Sequence, residues 1–321
     1  PPRSTLFPYT TLFRSPDGKK IIYTNAVMMG SPADPNIARG VFIDDLATGQ
    51  TTMVQQASEH QAFYDAQWSS NEAMVSFRDF CFECVGQFYS LNLDDGIRFD
   101  WSVKDTDLWV GLDTHWSPDG SQIVYDQWDF YNPPASTYGV WAGNADGKDM
   151  RPIYTAEGSS AAFPLWSPDG SQIVFSQITV GLEDNAYQRR ADLMLISSDG
   201  KDDRQLFSGD GLLYPLDWSP DGEMVLYSRE EKVSDFRSET ILAIYDLDRG
   251  MSFDLGSQYY PYAAWSQTPS QEFQLPEETY QTTETEWTVN VPFPVDGDAL
   301  IYLSRRSEEH TSELQSPYVI S

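Results

Sequence analysis

Trp166-Ser167-Pro168-Asp169-Gly170-Ser171-Gln172-Ile173-Val174-Phe175 decides how this chain is read, because the same words return along it. Trp116 and Trp218 open the same Trp-Ser-Pro-Asp-Gly, and Trp68 and Trp265 hold the matching place in weaker copies. The five tryptophans recur at intervals of 48, 50, 52 and 47 residues. Ser15-Pro16-Asp17-Gly18 is a further copy. A period of roughly 40 to 50 residues made of strand and turn marks propeller blades, four-stranded sheets that need neighbours to cover both faces. The expectation is an all-β β-propeller of four-stranded antiparallel blades, with six blade positions of which the first and last are incomplete.

Working outward from Trp166, Ala162 to Trp166 is a short apolar run and Gln172 to Ser176 an alternating strand. Asp192 to Ser197 is a third strand, Ser198-Asp199-Gly200-Lys201 a second turn, and Arg204 to Phe207 a last strand. Four strands and two tight turns fill one period. In the Ser-Pro-Asp-Gly turn, proline presets φ, aspartate suits the next position and glycine takes the positive φ that closes the hairpin. The degenerate copy Ser69-Ser70-Asn71-Glu72 leaves Asn71 as the residue able to take positive φ. Trp68, Trp116, Trp166, Trp218 and Trp265 each sit at one place in the repeat, so they read as structural core between blades rather than as ligand contacts.

The Trp-Ser-Pro-Asp-Gly word with a hydrophobic strand behind it resembles the repeat of TolB-like propellers, and is similar to the blades of prolyl-oligopeptidase-type peptidases. The resemblance spans about residues 15 to 266 and implies the fold. It is weak for function, since propellers host many unrelated activities.

Thr5 to Ser15 and Arg306 to Ser316 resemble in-frame translations of paired sequencing adapters, and such segments are set aside before fold reasoning. The expected organisation is an adapter-like tail over 1–15, a propeller over 16–270, an acidic linker or insertion with a last strand over 271–305, and a second tail over 306–321. On that reading the first blade lacks its innermost strand, and a catalytic or anchoring domain outside the fragment is invisible. Ala299 to Leu303 either completes the last blade or begins another domain.

The 321 residues carry a formal net charge of -29, and the two tails contribute nothing to it because their charges cancel. A field of that sign repels phosphate backbones and anionic membranes, so nucleic-acid binding is disfavoured and a partner with basic character is favoured. No apolar run approaches the length of a membrane span.

Chemistry-bearing residues are sparse. Cys81 and Cys84, in Cys-Phe-Glu-Cys, are the only cysteines, and they read as a disulfide or a free pair without metal, since a zinc site needs a second ligand pair. His60 and His115 stand alone. His115 lies on an inner strand, where a propeller's central channel runs, yet a single histidine reads as structural. The Asp-rich turns Asp44-Asp45, Asp94-Asp95-Gly96, Asp146-Gly147, Asp199-Gly200 and Asp246-Leu247-Asp248 occupy equivalent outer hairpins, where Asp and Gly are what the turn demands; none has calcium-loop spacing. No nucleophile elbow, phosphate loop or zinc-protease motif occurs. No catalytic residue, cofactor or metal is expected.

Turns after the first and third strands are terse, whereas the second-to-third connections read as long loops: residues 25–39, 79–86, 127–138, 177–190 and 229–239. These hold Trp128, Phe130, Tyr131, Tyr138, Tyr187, Arg189, Arg190, Arg229, Phe236 and Arg237, the aromatic and arginine types that dominate interface hot spots. Three functions fit. The first is a non-catalytic, extracytoplasmic propeller (periplasmic, secreted or surface-anchored) that binds a protein or peptide. The others are the gating propeller of a prolyl-oligopeptidase-like peptidase and a carbohydrate-binding or carbohydrate-active propeller.

Overall fold

A computed structural model describes residues 12–25, 39–58, 61–81, 87–101, 108–129, 139–155, 158–183, 186–234, 237–258, 262–265 and 300–303. The chain divides into two compact units, residues 1–157 and 158–321. The first holds three four-stranded sheets: β1 (Leu12–Arg14), β2 (Lys20–Asn25), β3 (Gly40–Asp45) and β4 (Thr51–Gln56); β5 (Gln61–Trp68), β6 (Met74–Cys81), β7 (Phe88–Asn92) and β8 (Arg98–Asp100); β9 (Leu108–Trp116), β10 (Gln122–Asp129), β11 (Gly139–Asn144) and β12 (Arg151–Thr155). The second holds β13 (Ser160–Trp166), β14 (Gln172–Glu183), β15 (Ala186–Ser197) and β16 (Arg204–Asp210); then β17 (Leu213–Trp218), β18 (Met224–Ser234), β19 (Arg237–Asp246) and β20 (Met251–Gln258); and a pair, β21 (Tyr262–Trp265) with β22 (Leu300–Leu303). Within every sheet each strand pairs antiparallel with the next in sequence. These are propeller blades, and the fold is a β-propeller. Among the described residues no helix occurs, so none is long and apolar enough to cross a membrane.

The repeated turn works through its own side chains. In the third blade Ser117 Oγ donates to Asp119 at 2.6 Å and accepts from the Gln122 amide at 2.9 Å, while the Gly120 amide donates to the Ser117 carbonyl. The turns at Ser15, Ser69, Ser167 and Ser219 repeat this arrangement. Glycine supplies φ near 70° in the four full copies. In the degenerate copy Asn71 does not take the positive φ expected of it. Asn71 performs the aspartate's role, accepting from Ser69 and the Ala73 amide, and Glu72 adopts φ 59° in glycine's place. Neighbouring turns are also tied together: Asn71 donates to the Asp119 carbonyl at 3.0 Å and Ser70 to the Ser117 carbonyl at 2.8 Å.

The tryptophans are blade plugs. Trp68 packs with Ile22 and Val41 of the preceding blade, and Trp116 with Met74 and Phe88. In the second unit Trp218 packs with Val174 and Leu193, and Trp265 with Leu226 and Leu242. All five, Trp166 included, are 4% to 9% exposed. Trp116 Nε1 donates to Ser76 Oγ at 3.0 Å, but Nε1 of Trp166, Trp218 and Trp265 is buried without an acceptor. An orphan N–H costs about 1 to 3 kcal/mol. Burying an indole returns about 4 to 6 kcal/mol, so packing wins.

The first blade differs from the sequence reading, and the last one takes one of the two alternatives left open there. The first is not short of a strand: Leu12, Phe13 and Arg14 pair with Tyr23, Ile22 and Ile21, so residues assigned to the adapter-like tail fill its innermost position. Ladder pairing uses backbone groups, so sequence origin does not bar a segment from it. At the other end, Leu300–Leu303 pairs with Tyr262–Trp265 and so joins the last blade. The linker residues 271–299 and the tails 1–11 and 306–321 lie outside the described residues.

Candidate functional site

Every full blade after the first breaks register in its inner strand, between Tyr64 and Gln67, Val110 and Thr114, Ala162 and Leu165, and Pro215 and Asp217. Such bulges re-aim side chains. In the first unit the bulges carry Asp65, at φ 54°, and Asp113, each three residues before its tryptophan. Arg78 on β6 meets Asp65 with Nε 3.3 Å from its carboxylate and lies 5.0 Å over the Phe88 ring. Asp113 donates its backbone N–H to Asp126 at 3.2 Å. Gln127 is 1% exposed, and neither its amide oxygen nor its nitrogen has a partner; the Thr114 hydroxyl is likewise buried without one. Asp79 is fully employed, accepting from Gln61, the Gln87 amide and Tyr89.

Burial, reinforced by Asp126, pushes the Asp113 carboxyl up to about 7. Burial also drives the His115 imidazole down to about 4. Near neutrality this group therefore holds a carboxyl at the midpoint of its titration and a neutral imidazole. Sequence reading picked out His115 alone. Asp65, Arg78, Asp113 and Gln127 were missed, although the shared place of the two aspartates, three before the repeat tryptophan, was a usable signal. Among the described residues no three His, Cys, Asp or Glu side chains gather closely enough to hold a metal ion. The outer-turn carboxylates serve their own hairpins: Asp45 accepts from the Ala47 and Thr48 amides, and Asp199 binds Ser197 and Lys201, which lower it to about 2.

The second-to-third connections of the second unit are not loops. β14 and β15 pair continuously from Gln172–Ser197 to Glu183–Ala186, and β18 and β19 pair from Met224–Asp246 to Ser234–Arg237 with one register shift between Lys232 and Ser234. Their outer neighbours stop earlier: β13 ends at the Ser160–Ile178 pair, β16 at Arg190–Asp210, β17 at Leu213–Arg229 and β20 at Thr240–Gln258. Two-stranded ribbons therefore project beyond both blades. Alternating β-branched residues such as Ile178 and Val180 favour strand over loop.

Several of the predicted binding residues therefore lie on strands. Tyr187 and Arg189 lie on the first ribbon, opposite Leu182 and Val180, and Arg237 opens the second. Arg190, at the ribbon's base, donates to Ser208 at 3.0 and 2.7 Å, and Ser208 donates to Asp192. Arg229 is not a free contact: 14% exposed, it grips Asp254 at 2.6 and 3.0 Å, reaches Glu231 at 3.4 Å and lies 5.6 Å from the Phe207 ring centroid. Both ion pairs lie within its own blade, and the Phe207 ring belongs to the blade before it. Trp128 is on β10 opposite Trp109, with its side chain outside the described residues, as is that of Cys81, opposite Gln61 on β6. Phe130, Tyr131, Tyr138, Phe236, Cys84 and His60 also lie outside the described residues.

No family model matches the chain, and no curated protein matches it. Solved structures do. An oligogalacturonate lyase in complex with manganese is 19% identical over 77% of this chain and 64% of its own, with a TM-score of 0.55. Prolyl oligopeptidase B from Galerina marginata is 12% identical over 91% of this chain and 38% of its own, at 0.54. TolB from Acinetobacter baumannii is 16% identical over 76% and 54%, at 0.46. This chain thus spans less than two thirds of each, and the first two share its fold: the chain is a β-propeller similar in architecture to those of lyases and peptidases.

Proposed function

We propose that this propeller is a non-catalytic docking scaffold of an extracytoplasmic protein, and that it holds a protein partner of basic character through the ribbons of its second unit. The projection of two ribbons beyond their blades carries the reading, since elements raised on a rigid scaffold are where binding residues concentrate. Tyr187, Arg189 and Arg237 on these ribbons are of the types that anchor interfaces. The charge of -29 supports a basic partner, and the TolB-like repeat supports the extracytoplasmic setting.

The test is calorimetry against a purified partner. Tyr187→Ala and Arg189→Ala should each weaken binding by about 1 kcal/mol or more. Asp199→Ala, in a turn at the other end of the same strand, should stay within about 0.5 kcal/mol. The reverse pattern overturns the reading. A nucleophile elbow encoded beyond residue 305 would instead favour the gating propeller of a peptidase.

A further inference from the structure

The outer edges of the two ribbons are not alike. The Gly211 amide donates to the Arg189 carbonyl and the Glu230 amide to the Leu212 carbonyl, so past these bonds β15 offers only the three residues Ala186, Tyr187 and Gln188 beside the charged Arg189, β18 presents Glu231 and Lys232, and β19 presents Arg237, Ser238 and Glu239. Charges at an edge discourage pairing with another chain. The outer edge of β14 presents Thr179, Val180, Gly181 and Leu182, with no charge and no proline. Thr179, Val180 and Gly181 are exposed, Val180 at 54%. Among the described residues nothing pairs with β14 on this side beyond Ile178.

Gly181 sharpens the contrast. Glycine weakens a strand interior, and here it is not required by a positive φ; a Cβ at this position would meet nothing within 4 Å. Among the described residues the missing side chain makes room for nothing. Glycine in a strand often marks the close approach of another backbone.

We propose that the outer edge of β14, Thr179–Glu183, is a strand acceptor, which takes an extended, uncharged segment flanked by lysine or arginine from a partner protein as an added strand. This rests on the docking reading and specifies its contact. Main-chain hydrogen bonds supply affinity in such additions, and alternate side chains supply selectivity. The basic flanks follow from charge: Glu183 ends β14, Asp184 follows it in sequence, Glu157 lies just before the sheet in sequence, and the whole chain carries -29. The same charge opposes a second copy of this chain as the occupant, because two such surfaces repel.

The experiment uses the full chain and fluorescent nonapeptides of alternating valine and threonine, flanked by lysine at both ends, read by anisotropy. The expected result is saturable binding that falls about tenfold or more in Val180→Lys and Gly181→Lys. Both positions are exposed, so folding should survive, which circular dichroism checks. Methylating alternate backbone nitrogens of the peptide should abolish binding in one register and spare it in the other. Equal binding by the two lysine variants or by both methylated peptides places the contact elsewhere and overturns the proposal, as does the absence of binding. Concentration-dependent dimerisation abolished by Val180→Lys assigns the edge to a second copy and also overturns it. A partner that responds to Tyr187→Ala but not to Val180→Lys sinks the strand acceptor while leaving the docking reading intact.

Discussion

Arg14 stands immediately before Ser-Pro-Asp-Gly, the place that tryptophan holds in the later repeats, and unlike them it is exposed. Its guanidinium donates to the Gly18 carbonyl at 3.1 Å. Substitution at these equivalent places should therefore cost very different amounts: about 3 to 5 kcal/mol for Trp218→Ala, and within about 0.5 kcal/mol for Arg14→Ala, measured by urea denaturation. Asp113 and His115 make a second residue-scale case. Unfolded Asp113 ionises near 3.8 but folded Asp113 keeps its proton to about 7, so its contribution is present at low pH and lost as pH rises through 7. Unfolded His115 is protonated below 6.5 while folded His115 stays neutral to about 4, so its contribution is present above 6.5 and lost as pH falls towards 4. Across that window the two oppose each other. Relative to the parent chain, Asp113→Asn should make stability climb with pH between 4 and 6.5, and His115→Asn should make it fall between 4 and 7, each on the order of 1 to 3 kcal/mol. Parallel pH profiles for both variants and the parent would refute the opposition.

At the scale of elements, the repeated turn and the strands on either side of it were legible because their signals are local: a serine, an aspartate and a positive-φ residue within four positions. What was not legible depends on partners distant in sequence. The ribbon of β14 and β15 read as a loop because residues 177–190 carry no repeat word, whereas its structure is fixed by cross-strand pairs such as Val180 with Arg189. The bulges at Asp65 and Asp113 break the two-residue alternation, so period reading loses those carboxylates at the point where they face Arg78. β1 escaped for another reason, since Leu12–Arg14 joins its sheet through backbone groups that any sequence offers. Trimming therefore has a sharp boundary. A chain starting at residue 12 should melt with the full chain, whereas one starting at residue 16 loses β1 and the Ser15 bonds to Asp17 and Lys20 and should lose about 1 to 3 kcal/mol. Equal melting of both would show that β1 contributes nothing to its sheet.

At the scale of the molecule the governing quantity is charge. The 49 acidic residues against 20 basic ones set up a field that reaches well past any single contact, and the carboxylates of the outer turns supply part of it while holding their own hairpins. Long-range attraction acts on encounter, not on the fitted complex, so field and ribbon contacts should separate kinetically. For a basic partner, raising salt from about 0.05 to 0.5 M shortens the Debye length from about 14 to about 4 Å and should slow association about tenfold or more. Dissociation should barely change, because the ribbon contacts are short-range. Tyr187→Ala should do the opposite, raising the dissociation rate while leaving the salt dependence of association intact. Surface plasmon resonance at several ionic strengths separates the two effects. If salt changes dissociation and Tyr187→Ala changes association, then the partner is held by the acidic surface itself, and the ribbons do not anchor it.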